Sequence, residues 1–366
     1  MKIAFDAKRF FQNGSGLGNY SRDLVRILAT FYPENKYFLL NSEKTERGRN
    51  VLGLPDVYYV ETSKGKFSRQ LKMGKDAQKI DADIFHGLSG ELPIKWRKTS
   101  IGRVVTIHDL IFLRLPQYYS FFDRKIHFWK FKKAAKQANK IIAISEQTKK
   151  DIVHYLKVHA EKIQVVYQGC HQSFKEIPSE NFQHSVKEKF DLPDRFILNV
   201  GTVEPRKNLL NILKSLKDTE IPLVVVGKKQ KKYFSKIEKE LKRNKGQVQF
   251  LENVSMEELA VIYRLADIFV YPSSFEGFGI PVIEALFSGT AVITSNVSSL
   301  PEAGGPGALY VNPENIQDLR SKILHLWENE AERNRRSEVG LLYAQKHFTD
   351  EKIASDLMNV YLSVLE

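Results

Sequence analysis

Two doubly wound, Rossmann-like α/β domains facing each other across a cleft are the fold this sequence predicts, on three observations. The chain has 366 residues, more than one hydrophobic core usually serves, so two domains are expected. Short apolar runs alternate with helical patterns along its whole length, the mark of parallel sheets covered by helices. The words Ala82-Asp83-Ile84-Phe85 and Ala266-Asp267-Ile268-Phe269 occur once in each half and open a strand in both, as two similar sheets would require.

In chain order, residues 2–5 read as a strand, followed by a glycine-bearing loop and an amphipathic helix over 19–31. Further strands are expected at 37–40, 84–86, 104–107, 141–144 and 163–167. The polar stretch 172–195, with Pro178 and Pro193, reads as a linker between a first domain over 1–171 and a second over 196–348. In the second, strands are expected at 196–200, 223–226, 248–251, 268–271, 291–294 and 308–311, and helical patterns over 318–329 and 330–366 close the chain. The crevice at the ends of such sheets is the usual place for a ligand.

No stretch approaches the roughly 18 apolar residues of a membrane span. Lys2, Asp6, Lys8 and Arg9 interrupt what would be a leader's apolar run, so no secretion is expected. Cys170 is the only cysteine; it excludes an internal disulfide and fits a reducing, cytoplasmic setting. The net charge of +13 is uneven. Residues 1–180 carry 32 Lys/Arg against 18 Asp/Glu, and the remainder 24 against 25. The first half therefore suits an anionic partner: nucleic acid, anionic lipid or a phosphorylated acceptor.

The most specific pattern is Ser273-Ser274-Phe275-Glu276-Gly277-Phe278-Gly279-Ile280-Pro281-Val282-Ile283-Glu284-Ala285, directly after a strand. Its glycines let the backbone bend close to a ligand, and Pro281 suits the first turn of a helix that Gly289 ends. The free N–H groups of that helix favour a phosphate. Glu276 falls in the loop before it and Glu284 one turn inside, so one carboxylate is placed for a reacting sugar and the other for vicinal hydroxyls such as a ribose. In Gly201-Thr202-Val203-Glu204-Pro205-Arg206-Lys207-Asn208, Asn208 reads as an N-cap, and Arg206 and Lys207 as a clamp on a diphosphate leaving group. The run Gly14-Ser15-Gly16-Leu17-Gly18 lacks the spacing of a dinucleotide fingerprint and has no acid at the end of the next strand. It is read as a loop whose Gly16 and Gly18 let backbone amides reach a phosphate. His108-Asp109 follows the strand 104–107, on the rim of the cleft. Asp81-Ala82-Asp83 resembles a manganese-binding pair but precedes its strand, where it reads as solvated entry residues. No cofactor and no metal are expected, the basic clamp standing in for a cation.

In their order, Gly14–Gly18, His108-Asp109, Ser145-Glu146, Gly201–Asn208 and Glu276–Glu284 resemble the family 4 retaining glycosyltransferases of the GT-B fold (group 1), over nearly the whole chain. The resemblance implies a nucleotide-diphosphate sugar as donor, bound mostly by the second domain, and a saccharide or lipid-linked acceptor bound by the first. It implies Arg206 and Lys207 on the diphosphate, Glu284 on the ribose, Glu276 with the backbone of Phe278, Gly279 and Ile280 on the sugar, and His108 near the reacting end. It also implies a final stretch, 349–366, that returns to the first domain. Gln168-Gly169 and Gly201-Thr202 depart from the Asn-Gly and Gly-Arg of many members, which leaves Arg206 as the only arginine of its loop. The run 108–118, with Pro116, resembles members that use GDP-mannose or related donors, in polysaccharide or glycolipid synthesis.

A helix through 121–138 would turn Phe128, Phe131, Ala135 and Ala138 to a core and collect Phe122, Lys125, Trp129, Lys132, Lys133 and Lys136 on the opposite arc, with Arg69, Lys72 and Lys79 as a second basic row. Rings among lysines suit a membrane or acceptor face, placing the enzyme peripherally on the inner face of a membrane; a solvated basic face or a sugar-stacking site are the other readings. A nucleotide-sugar epimerase of the same fold is the rival enzyme. A nucleic-acid binder is the rival outside enzymes, and no RNA- or DNA-binding motif accompanies the charge.

Overall fold

The computed structural model describes every residue except Ser15, Lys66, Arg97 and Lys98. The chain divides into two compact units, Met1–Gln168 with Asp350–Glu366, and Gly169–Thr349.

The first unit is built on a seven-stranded sheet of β1 (Lys2–Asp6), β2 (Lys36–Asn41), β3 (Val57–Glu61), β4 (Ile84–Gly87), β5 (Gly102–Ile107), β6 (Lys140–Ala143) and β7 (Ile163–Val165), in the order β3-β2-β1-β4-β5-β6-β7. Every pairing is parallel. The second unit carries β8 (Ile197–Val200), β9 (Leu223–Val226), β10 (Val248–Leu251), β11 (Ile268–Tyr271), β12 (Ala291–Ser295) and β13 (Leu309–Val311), again all parallel, in the order β10-β9-β8-β11-β12-β13. Both sheets are Rossmann-like. In each, strand order reverses beside the first strand: between β1 and β4, and between β8 and β11.

The repeated tetrapeptide has the same work in both units. Asp83 accepts the backbone N–H of Lys2 at 2.7 Å, and Asp267 that of Phe196 at 3.1 Å. Each aspartate thus caps the strand next to its own, at the pair where the order reverses. The apolar strands fill the cores: Ile3, Phe5 and Ile84 in the first unit, Ile197, Ile268 and Val270 in the second.

Four local expectations differ from the structure. Strand β3 falls in a stretch not read as a strand; it is an edge strand whose Tyr58 is exposed, so it lacks the continuous apolar run of the central ones. The loop after β1 is partly helical: Lys8–Gln12 forms a short helix burying Phe10 and Phe11, and the long helix begins at Gly16. The stretch 172–195 is not a linker, since it holds the helix Glu180–Lys189, capped by Ser179, and belongs to the second unit. The terminal helical pattern is two helices, Glu330–His347 and Asp350–Leu365. The last packs in the first unit, burying Leu357 and Tyr361 and pairing Asp350 with Arg26 at 2.7 Å.

Candidate functional site

The reversal between β8 and β11 sets the loops after these two strands side by side, the position where open parallel sheets take ligands. The loops are stitched together: the N–H of Ser274 donates to the carbonyl of Arg206 at 2.9 Å, and the Arg206 guanidinium to the carbonyl of Phe275 at 2.7 Å. Pro205–Lys207 is a 3-10 turn ending at Asn208, which has φ +61°. Asn208 does stand at the N-cap position of the helix Leu209–Ser215, but its side chain does not cap it; the amide donates instead to the carbonyls of Pro272 and Pro313, tying the turn to the loop after β11.

One carboxylate oxygen organises the site. Glu276 Oε1 accepts from Lys207 Nζ at 2.7 Å, Arg206 at 2.7 Å, Ser273 Oγ at 2.6 Å and Tyr271 Oη at 2.9 Å. Lys207 also donates to the Tyr271 hydroxyl. Burial alone would raise the Glu276 carboxyl, but the charges of Lys207 and Arg206 override it and hold the carboxyl at about 2. Burial lowers the Lys207 ammonium, and Glu276 only partly restores it. The opposite edge of Arg206 is held by Glu204 at 2.6 Å, whose second oxygen accepts from Gln230. Two cations thus face two acids.

The helix Ile280–Phe287 starts where the sequence places it, with Gly279 at φ +118° and Pro281 in its first turn. That backbone conformation requires glycine, and a Cβ there would also crowd Leu300 Cδ2 at 3.0 Å. Ser299 Oγ donates to the carbonyls of Glu276 and Phe278, and Ser298 Oγ accepts the Glu276 N–H at 3.1 Å. These serines and Tyr271 escaped the sequence reading; an adjacent Ser-Ser just past a strand end was the only signal. Glu284, inside the helix, is buried and accepts one hydrogen bond, from Tyr263 at 3.0 Å. Burial without a counter-charge lifts its carboxyl to about 7. The sequence reading gave the two glutamates different jobs; the structure gives them opposite electrostatic settings as well.

In the first unit, His108 follows β5. Its Nε2 faces the carbonyl of Leu88 at 2.9 Å, which only accepts, so Nε2 carries the proton. Its Nδ1 lies 2.9 Å from the Gln168 amide. Burial pushes the ring to about 4, leaving it neutral, with Nδ1 accepting from Gln168. The Tyr20 ring stands edge-on to it at 4.5 Å, and a buried chain runs on from Tyr20 through Thr106 and His86 to Tyr361. Gly16 and Gly18 are not loop residues but the first turn of the helix Gly16–Phe31, while Ser15 lies outside the described residues. A Cβ on Gly18 would fall 1.9 Å from the Asn13 carbonyl, so this glycine is needed for packing; Gly16 has open space.

Helix Phe121–Gln137 buries Ala134 and Ala135 and rests Phe128 and Phe131 on the core, leaving Phe122, Lys125, Trp129, Lys132 and Lys136 exposed and Lys133 half-buried. Trp129 is therefore not packed in the core. Arg69 does not belong to a basic surface row: it turns inward to Asp6 at 2.8 Å and Glu91 at 2.9 Å. Among the described residues, no three His, Cys, Asp or Glu group to hold a metal ion, and no helix is long and apolar enough to cross a membrane.

Two family models, one over each half of the chain, together with the fold mark a glycosyltransferase of the GT-B fold. Residues 15–173 match the model described as Glycosyltransferase Family 4 and residues 180–341 that described as Glycosyl transferases group 1. Such an enzyme moves a sugar from a nucleotide-diphosphate donor to a saccharide acceptor. The chain is 27% identical over 294 residues to O-antigen chain mannosyltransferase B of Escherichia coli, covering 76% of this chain and 74% of that one. It is 31% identical over 235 residues to the serotype-specific mannosyltransferase WbdA of Escherichia coli, covering 59% of this chain but only 28% of that protein's length. Its fold matches Anabaena Alr3699/HepE, solved in complex with UDP-glucose, with a TM-score of 0.76 at 15% identity over 99% of this chain and 100% of that one.

Proposed function

We propose that the protein is a retaining hexosyltransferase that takes mannose from GDP-mannose and adds it to a saccharide or lipid-linked acceptor in polysaccharide or glycolipid synthesis, at the cytoplasmic side of a membrane. The observation that carries the reading is the Glu276–Lys207–Arg206 cluster at the β8/β11 reversal, beside a helix start that glycine and proline keep open. Lys207 has three ammonium hydrogens. Glu276 and Tyr271 take two, and the third finds no acceptor among the described residues. It suits an oxygen of the leaving diphosphate, whose charge grows as the bond breaks. Arg206, held on both edges, adds charge from a fixed position. Glu276 and the backbone at Phe278, Gly279 and Ile280 would hold the sugar, Glu284 the ribose hydroxyls, and His108 would be the first unit's contribution to the transfer.

Glu276 Oε1 is committed to four donors, which supports a route without a covalent glycosyl-enzyme. In such a same-face displacement the acceptor oxygen bonds the anomeric carbon as the carbon–phosphate oxygen bond breaks. The nucleotide leaves with that electron pair, and a phosphate oxygen takes the acceptor's proton. The mannose assignment rests on the names of the two mannosyltransferase relatives, against the UDP-glucose complex of the Anabaena fold relative. Incubation with GDP-mannose or UDP-glucose, with and without an oligosaccharide acceptor, tests it. An α-mannosyl product from GDP-mannose is expected, with slow hydrolysis when acceptor is left out. A new nucleotide sugar formed without acceptor would make the protein an epimerase, and an inverted linkage would overturn retention.

A further inference from the structure

Six of the exposed large apolar residues of the first unit fall within one short stretch of chain. Tyr118, Tyr119, Phe121, Phe122, Ile126 and Trp129 are all exposed, Phe122 at 78% and Trp129 at 51%. Single exposed apolar residues are ordinary, whereas a run of large ones marks a surface that meets something. Lysines stand among these rings. Lys133 Nζ lies 5.1 Å from the Trp129 ring centre, and Lys125 Nζ 5.4 Å from that of Phe121. The only acid of the helix Phe121–Gln137 is Asp123, which is turned back onto Ser120 at the helix start.

A second segment is tied to this helix through Glu91. In Ser68–Leu71, Arg69 reaches inward to Glu91, and Glu91 also takes Lys130 of the long helix at 3.5 Å. One carboxylate therefore anchors both segments. Around it Phe67, at 61%, and Leu71 are exposed, with Lys72 and Lys75 exposed beside them.

We infer that these two segments form one docking surface for an anionic lipid bilayer, with the rings of Phe122, Trp129 and Phe67 entering the headgroup layer and the lysines meeting its charge. Three features favour lipid over other occupants. The excess of Lys/Arg lies in residues 1–180, 32 against 18 acids. The rings alternate with lysines, as amphipathic faces at the headgroup boundary do. No described helix could span the bilayer, so attachment would be to its surface. The inference deepens the membrane setting of the proposed function, but its test reads binding without sugar transfer, so either can fail alone.

The test is co-sedimentation of the full chain with vesicles of phosphatidylcholine alone or mixed with phosphatidylglycerol. Binding to the mixed vesicles at low salt and release at high salt are expected. The combined Lys125→Glu, Lys132→Glu, Lys133→Glu and Lys136→Glu variant should partition at least about 10³-fold more weakly, from the contribution of each charge near an anionic leaflet. Phe122→Ser with Trp129→Ser should weaken binding without changing its salt dependence, and a blue shift of tryptophan emission on binding should vanish in Trp129→Phe. Should the lysine variant misfold, Phe67→Ser with Leu71→Ser tests the second segment in its place. In every variant, GDP should still protect the second unit against heating. Equal binding to both vesicle types, no binding, or a lysine variant that binds like the wild type would overturn the inference. So would a Trp129 emission that responds to a soluble oligosaccharide and not to vesicles, which would make the face a sugar-stacking site.

Discussion

Replacing Glu284 by Gln should make the ligand-free protein more stable and the enzyme worse, and both effects can be sized. Glu284 is 8% exposed, and among the described residues its side-chain hydrogen bond comes from Tyr263 alone. Burial lifts its carboxyl from the ordinary 4.5 to about 7. Between those values the native state keeps a proton that the unfolded chain has released. This group's share of stability is therefore present in acid and is lost as pH rises through about 4.5 to 7. Above the window the buried charge costs about 3 kcal/mol relative to an ordinary carboxyl. Glutamine keeps the shape, still accepts from Tyr263 and never ionises. Glu284→Gln should be close to neutral near pH 5 and stabilising at pH 8, by at most about 3 kcal/mol and by less if its amide hydrogens go unpaired. A ribose donating its hydroxyls would compensate the native charge. Losing that charged partner costs about 1.5–3 kcal/mol, which raises the donor KM about 10- to 100-fold with little change in kcat. Melting curves of both proteins at pH 5 and pH 8 without nucleotide check the first half, and initial rates the second. A melting difference that is the same at both pH values, or a Gln variant less stable at pH 8, would refute the buried-charge argument.

Lys207→Ala should lower turnover by about 10²-fold or more, and near-normal turnover in a folded variant would remove Lys207 from the chemistry. Arg206→Ala should cost turnover and melting temperature together, because it also strips partners from Glu204, Glu276 and the Phe275 carbonyl; an unchanged melting curve would contradict that. Glu276→Gln should depress kcat rather than raise the donor KM, and kinetic defects identical to those of Glu284→Gln would show the roles wrongly divided. Gln168→Glu should raise the His108 ring from about 4, since an anion beside Nδ1 favours the charged imidazole against burial and the nearby Arg9. Histidine NMR titration of the variant checks it, and an unshifted ring would deny the contact.

What the sequence made legible follows from how strongly each position is constrained. Central strands of a parallel sheet are buried on both faces, so 223–226 and 268–271 read as strands without help. The edge strand Val57–Glu61, with its exposed Tyr58, did not. Gly279, Pro281 and Gly289 mark a helix start and end by backbone requirements that few other residues meet, and that helix came out nearly residue for residue. Asn208 was placed rightly at a helix start but not in its role, because asparagine serves both as a capping side chain and as a left-handed turn residue, and the carbonyls of Pro272 and Pro313 decide between them. The opposite ionisation of Glu276 and Glu284 was invisible for the same reason. It depends on which distant side chains, Lys207 and Arg206 or Tyr263, arrive beside each carboxylate, and sequence spacing carries no record of that. The outward turn of Trp129 and the inward turn of Arg69 are likewise tertiary outcomes.

Protection against heat by nucleotide sugars tests the central claim most directly. GDP-mannose, UDP-glucose and GDP would each be added in excess to the wild-type chain and to Lys207→Ala, and the unfolding transition followed. GDP-mannose is predicted to raise the transition most, by about 2.7 kcal/mol of stability at a hundredfold excess over its Kd, with most of that protection gone in Lys207→Ala. Protection by no nucleotide sugar, or protection undiminished by the loss of Lys207, would contradict the assignment of the Glu276–Lys207–Arg206 cluster as the donor site.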